Sequence, residues 1–193
     1  MATRNPFELF AEIFEKAQQR GIENANAMHL ATVDAEGRPS VRVVLLKGFD
    51  EDGFVFYTNL ESRKGRDLIA DPRAELNFYW RELERQVRIG GRVSPVTDEE
   101  ADEYFASRPR LSQLGAWASQ QSRELPSKAR LLADVARFEG EYLGRKIPRP
   151  PYWSGFRLAP ERFEFWHSKP FRLHDRSEFL LADDQWQSVD LYP

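Results

Sequence analysis

His29-Leu-Ala-Thr-Val-Asp34, Ala35-Glu-Gly-Arg38 and Ser40-Val-Arg-Val-Val-Leu-Leu-Lys47 follow one another as strand, turn and strand. β-branched and apolar residues dominate both outer segments, and the glycine in the middle suits a reversal of the chain, so a hairpin opens at about Met28. A second turn, Asp50-Glu-Asp-Gly53, leads into Phe54-Val-Phe-Tyr-Thr58, and Arg73–Trp80 and Gln86–Val93 have the same strand character. At least five strands thus fall between residues 28 and 95.

Helical signals flank and interrupt this group. Asn5-Pro6-Phe7-Glu8 supplies an N-cap, a first-turn proline and an early acid, and Phe7, Phe10, Phe14 and Ala17 recur at helical spacing up to Gly21, which predicts a helix over 5–20. Ser62-Arg-Lys-Gly-Arg-Asp-Leu-Ile-Ala70 reads as a short helix whose first-turn cations oppose the helix dipole and therefore invite another role. Thr97-Asp-Glu-Glu100 is a capping box for a helix that Arg108-Pro109 stops, and Ser127 starts another reaching about Leu143. Beyond Pro148, Pro150 and Pro151, a second strand group occupies about 153–193, with strands at Gly155–Leu158, Arg162–Trp166, Phe179–Leu181 and Trp186–Val189. The whole pattern predicts a single domain over 1–193, mainly β with α: one closed antiparallel β-barrel with helices over its openings.

Composition narrows the chemistry. Without cysteine, thiol and iron–sulfur chemistry are excluded, and having only three histidines argues against a histidine-rich metal cage, so no metal is expected and any redox chemistry needs an organic cofactor. The net charge is −3, which argues against a nucleic-acid surface, and no apolar run reaches the ~18 residues of a membrane helix. A soluble cytoplasmic protein is expected. The cations are 22 Arg against 6 Lys, biased toward the planar donor fork that suits phosphates and carboxylates.

Three clusters could use those cations. Arg42 and Lys47 lie in an apolar strand, and with Tyr57-Thr58, Ser62-Arg63-Lys64 and Gln121-Ser122 they form a phosphate-binding residue set, although a solvated strand face would also explain the two cations. Tyr104 and Arg108 share a helix face with Ser112 close behind, a set that could either grip an anion or be a tyrosine packed on an arginine stem. Arg172, His174 and Arg176 alternate after Trp166, and on an extended segment they would project to one side.

Taken together, Arg42-Val-Val-Leu-Leu-Lys47, Phe56-Tyr-Thr-Asn59, Ser62-Arg-Lys64, Leu83-Glu-Arg-Gln-Val87, Tyr104-Phe-Ala-Ser-Arg-Pro109, Ser112-Gln-Leu-Gly-Ala-Trp117, Gln121-Ser-Arg123, Trp153-Ser-Gly-Phe156, Glu164-Phe-Trp166 and Arg172-Leu-His-Asp-Arg176 resemble the pyridoxine/pyridoxamine 5′-phosphate oxidase family from about residue 5 to the C-terminus. The resemblance implies an FMN-binding split β-barrel that works as a homodimer, with the flavin at the subunit interface. It implies FMN contacts from Arg42, Val43, Val44, Leu45, Leu46, Lys47, Tyr57, Thr58, Arg63, Lys64, Gln121 and Ser122, and from Gln86, Trp166 and Arg176 near the ring system. It implies that Lys47, Tyr104, Arg108 and Ser112 grip the substrate phosphate, while Arg172 and His174, the catalytic pair, cover the pyridine ring. The implied reaction is oxidation of pyridoxamine or pyridoxine 5′-phosphate by dioxygen to pyridoxal 5′-phosphate and hydrogen peroxide, with a split-barrel flavoprotein of other specificity, or a non-catalytic vitamer-binding protein, as the alternatives. The chain departs from the family in its short arm, Met1 to Arg4, before the first helix, in Ser177-Glu-Phe-Leu-Leu181 where a more basic stretch is common, and in its end, Leu191-Tyr-Pro193.

Overall fold

A computed structural model describes residues 5–193, so the arm Met1 to Arg4 lies outside the described residues. The first helix, α1 (Pro6–Gln19), starts as its sequence requires: Asn5 accepts from the Phe7 amide through its side chain, and Phe10, Ile13 and Ala17 are buried along one face. The strands β1 (Ala27–Val33) and β2 (Pro39–Leu45) form the expected hairpin, in register from Ala27 opposite Leu45 to Val33 opposite Pro39. A short β3 (Gly48–Asp50) pairs with β4 (Gly53–Asn59), and α2 (Arg63–Ala70), β5 (Arg73–Trp80) and β6 (Arg85–Pro95) follow.

Three helices fill the middle: α3 (Asp98–Ser107), opened by the Thr97–Glu100 capping box, α4 (Arg110–Ala118) and α5 (Lys128–Glu141). No capping signal in the sequence announces α4. Then come β7 (Trp153–His167), β8 (Asp175–Ala182) and β9 (Gln185–Asp190). The two strands expected at Gly155–Leu158 and Arg162–Trp166 are one continuous β7. Pro160 does not break it because the register against β6 slips between Gly90 and Gly91, and the irregularity accommodates the missing amide.

All nine strands belong to one antiparallel sheet in the order β2-β1-β5-β6-β7-β4-β3, with β8 added to β7 and β9 to β8. Its two ends, β2 and β3, are consecutive in the chain, and between them the Lys47 amide donates to Val55 of β4. The sheet therefore curls into a split barrel. Its inside holds an aromatic core in which Phe10 of α1 meets Phe49, Phe54 and Phe78 edge-on at 4.9–5.1 Å, a favoured arrangement for aromatic quadrupoles. None of the described helices is long and apolar enough to cross a membrane.

Candidate functional site

A cavity of 770 Å³ opens where the ends of β2, β4 and β7 meet α2, α3 and α4. Of the residues expected at the site, Val43, Val44, Leu45, Lys47, Tyr57, Thr58, Lys64, Tyr104, Arg108, Ser112 and Gln121 line it. Asn59, Ser107, Gly115, Ala116, Ser119 and Trp153 complete the wall along with Pro109. Three cations face this space and not one of the lining residues is an aspartate or glutamate, in a chain with 31 acidic residues.

Lys64 owes its place to the Ser62 cap, which accepts from the Gly65 amide and fixes the first turn of α2. Its ammonium is buried and donates to neutral oxygens: Thr58 Oγ1 at 3.2 Å, Ser62 Oγ at 3.3 Å and Gln121 Oε1 at 3.2 Å. Burial, reinforced by Arg42 and opposed by Asp67, pushes its pKa down to about 8. Arg42 does not line the cavity but stands behind it, donating to Leu30 O, Thr32 Oγ1 and Ser40 Oγ, with Asp67 at 3.7 Å. Asp67 is itself buried and accepts from Thr32 Oγ1 at 2.8 Å. Arg63 is exposed, 4.0 Å from Asp34, Ser122 is exposed with a positive φ of 68°, and Leu46 is buried; these three stay off the cavity wall.

At the other side, Tyr104 stacks on Tyr57 with centroids 4.1 Å apart, and Tyr57 stacks on Trp153 at 5.4 Å. Lys47 lies 5.6 Å from the Tyr104 centroid, and the Arg108 guanidinium 4.7 Å from that of Trp153. Arg108 Nη1 is buried with no hydrogen-bond partner, and burial lowers its pKa. Ser112 sits in the first turn of α4, which Gln113 anchors by donating to the carbonyls of Phe105, Ala106 and Arg108.

The remaining expected residues form a second group that this cavity does not contain. Gln86 of β6 is opposite Trp166 of β7, which is opposite Arg176 of β8. Trp153 and Trp166 lie at opposite ends of β7, separated by roughly 40 Å of strand at ~3.3 Å per residue, so one copy of the chain does not bring the groups together. Arg172 and His174 are not on an extended segment, so the condition for the three to share a side is not met: Pro170–Arg172 is a tight 3-10 turn, and Phe171 and Arg172 both have positive φ, 58° and 63°. Three cations therefore do not line up on one strand face. The His174 ring packs 4.7 Å from Trp166, and its Nδ1 accepts from the Lys169 amide, so a neutral ring carries its proton on Nε2.

Arg176 is bound by Glu164, Nη2 at 2.8 Å and Nε at 3.0 Å, and Glu164 also accepts from Arg88 at 3.0 Å. Arg88 continues to Glu75, which pairs with Arg162 and, through it, with Glu178. Two residues of evident structural consequence escaped the sequence reading. Trp153 and Glu164 both stand inside the quoted motifs, but nothing in a linear pattern of strand residues shows which ring holds a cation or which carboxylate is buried between two arginines.

Two family descriptions match the chain: "Pyridoxamine 5'-phosphate oxidase" over residues 14–142, and "Pyridoxine 5'-phosphate oxidase C-terminal dimerisation region" over 153–193. Among curated relatives, the pyridoxine/pyridoxamine 5'-phosphate oxidase of Rhodopseudomonas palustris (strain BisB5) is 54% identical over 100% of this chain and 92% of its own length. The protein of the same name from Myxococcus xanthus (strain DK1622) is 56% identical, covering 100% and 94%. Among solved structures, PhzG from Burkholderia lata 383, in complex with tetrahydrophenazine-1-carboxylic acid, superposes with a TM-score of 0.94 at 33% identity, covering 100% of this chain and 94% of that one. A pyridoxamine 5'-phosphate oxidase-related, FMN binding protein from Nostoc punctiforme shares the fold, with a TM-score of 0.79 at 18% identity over the full length of both chains. The chain belongs to the pyridoxamine 5′-phosphate oxidase family.

Proposed function

We propose that this protein is an FMN-dependent oxidase of pyridoxamine and pyridoxine 5′-phosphates. The alcohol plus dioxygen gives pyridoxal 5′-phosphate and hydrogen peroxide; the amine plus dioxygen and water gives the same two products and ammonia. Curated relatives of that name, 54–56% identical over the whole chain, support the assignment. The observation that carries it is the wall of the cavity: Lys47, Lys64 and Arg108 without a carboxylate partner among the described residues. Cations that converge on one cavity without carboxylate partners favour dianions, and a reaction between a flavin phosphate and a vitamin phosphate needs two such seats.

The donor set fits both groups. Lys64, Thr58 and Gln121, backed by Arg42, would hold the flavin phosphate and its chain, and Lys47, Tyr104, Arg108 and Ser112 the substrate phosphate. Bound FMN supplies the two-electron redox chemistry and its return to dioxygen. The protein's part is orientation and charge: Arg172 would favour electron density accumulating as C4′ is oxidised, and His174 would present Nε2–H over the pyridine ring. Because Gln86, Trp166, Arg172, His174 and Arg176 lie away from the cavity in one chain, the complete site would form in a homodimer, each copy supplying its β6–β8 group to the other's cavity. The match of residues 153–193 to a dimerisation region supports that arrangement.

The test is direct. Purified protein loaded with FMN is given pyridoxamine 5′-phosphate under oxygen, and the pyridoxal 5′-phosphate aldehyde and peroxide are measured. Failure to form either product removes the proposal.

A further inference from the structure

We propose that Trp153 is a positioning residue for substrate phosphate: it holds Arg108 by its π face, as part of a cluster in which two cations rest on three mutually stacked rings. The proposal rests on the reading of this cavity wall as the phosphate seat. Lys47 lies 5.6 Å from the Tyr104 centroid, the three rings are mutually stacked with Tyr104–Tyr57 at 4.1 Å, Tyr57–Trp153 at 5.4 Å and Tyr104–Trp153 at 6.1 Å, and Arg108 lies 4.7 Å from Trp153 and 5.6 Å from Phe105. The Tyr57 and Trp153 planes differ by 5°, and Tyr57 and Tyr104 by 16°, so the rings act as one slab.

The physical advantage lies in what the slab replaces. An arginine buried against a carboxylate keeps its geometry but gives up much of its field, and a second anion must then compete for it. A ring face steers the guanidinium and compensates part of its lost hydration while leaving the full charge and the N–H donors available. Arg108 matches that description, since Nη1 is buried without a partner and no carboxylate is in ion-pair range among the described residues. Arg149, in the segment before β7, is handled the opposite way. It is clamped by Asp98 and Asp102, and it donates to the carbonyl of Trp153 itself at 2.9 Å. That bridge ties the start of β7 to α3, the helix that ends at Arg108, and so sets the indole against the guanidinium.

Trp153→Leu and Trp153→Phe holoenzymes test this, with Arg108→Ala as the control. The readouts are KM and kcat for pyridoxamine 5′-phosphate and the affinities of pyridoxal 5′-phosphate and of unphosphorylated pyridoxal, measured by absorbance titration. Trp153→Leu is expected to raise KM and weaken pyridoxal 5′-phosphate binding about five- to tenfold, the loss of one cation–π contact. Pyridoxal binding and kcat should stay within about twofold, because only the grip on the phosphate has changed. Trp153→Phe keeps a smaller ring and should lose about twofold in the same phosphate-specific sense. Equal weakening of the phosphorylated and free vitamers, or no change in either variant, overturns the inference; if Trp153→Leu does not fold, the preference shown by Trp153→Phe decides alone. An Arg108→Ala enzyme that keeps the wild-type preference for the phosphorylated vitamer overturns the phosphate seat as well.

Discussion

Lys64 offers a sharp test of the charge distribution in the cavity. The residue is only 9% exposed, its ammonium donates to neutral oxygens, and burial lowers its pKa from 10.5 to about 8. A lysine whose folded pKa is depressed binds fewer protons folded than unfolded, so it destabilises the protein fully below pH 8 and ever less as pH rises from there toward 10.5. At ~1.4 kcal/mol per pKa unit the full shift corresponds to about 3 kcal/mol, and solvent reaching the open cavity reduces this to about 1–3 kcal/mol. Replacing the charge by an apolar chain of similar length, Lys64→Met, removes the penalty. Urea unfolding of the flavin-free protein at fixed protein concentration, from pH 7 to 10, should show the variant more stable at pH 7 by about 1–3 kcal/mol, with the difference shrinking as the wild type gains on it above pH 8. Inorganic phosphate should reverse the order at neutral pH, since it gives the wild-type ammonium the counter-charge it lacks. Stability curves that run parallel across the range, with no response to phosphate, would refute the claim that Lys64 is an uncompensated buried cation.

Three further substitutions probe the scaffold. Glu164→Gln leaves Arg88 and Arg176 without their shared buried carboxylate and should cost about 2–3 kcal/mol in chemical denaturation, with weaker FMN retention on gel filtration if Arg176 serves the flavin. Gly155→Ala places a methyl 2.7 Å from Tyr57 Cδ1 and should tilt that ring out of the stack, raising KM for the phosphorylated substrate about as much as Trp153→Leu does. Gly65→Ala would overlap the Leu60 carbonyl and push α2 outward, so a loss of about 1–3 kcal/mol should come with weaker phosphate binding at Lys64; an unchanged melting temperature would contradict the close approach.

Where local chemistry decides structure, the residues can be read directly. Asn5, Ser62, Thr97 and Ser127 each cap the helix their spacing announces, and the expected β1–β2 hairpin forms. α4 was illegible because Pro109 provides no side-chain cap; that helix is held instead by Gln113 reaching back to three carbonyls at the end of α3, a tertiary arrangement. Pro160 misleads for a similar reason, since only the β6 partner shows that a bulge absorbs it. At the site, residue types on β2, β4 and α2 pick out several residues that share one cavity wall, whereas the extended conformation that would align Arg172, His174 and Arg176 is absent before Asp175. Two consecutive positive-φ residues there are a backbone cost that no residue pattern without glycine would announce.

The arginine excess divides by what each guanidinium is given as a partner. Arg88, Arg149, Arg157 and Arg162 each meet two carboxylates and stitch strands or helices together. Arg108 has none among the described residues. Arg176 falls between these cases, and its position changes what it can do. Glu164 already balances its charge, and Tyr192 O takes another of its N–H bonds at 3.0 Å, so it is a poor competitor for a phosphate. It is, however, a rigid hydrogen-bond donor with N–H groups to spare, the property needed to orient a neutral or transiently charged ring without fixing its redox state by a full positive charge. The pairing pattern therefore separates the two tasks proposed for the cations: unpaired ones at the cavity wall would attract phosphates, and the paired Arg176 on β8 would align the ring held by a second copy of the chain.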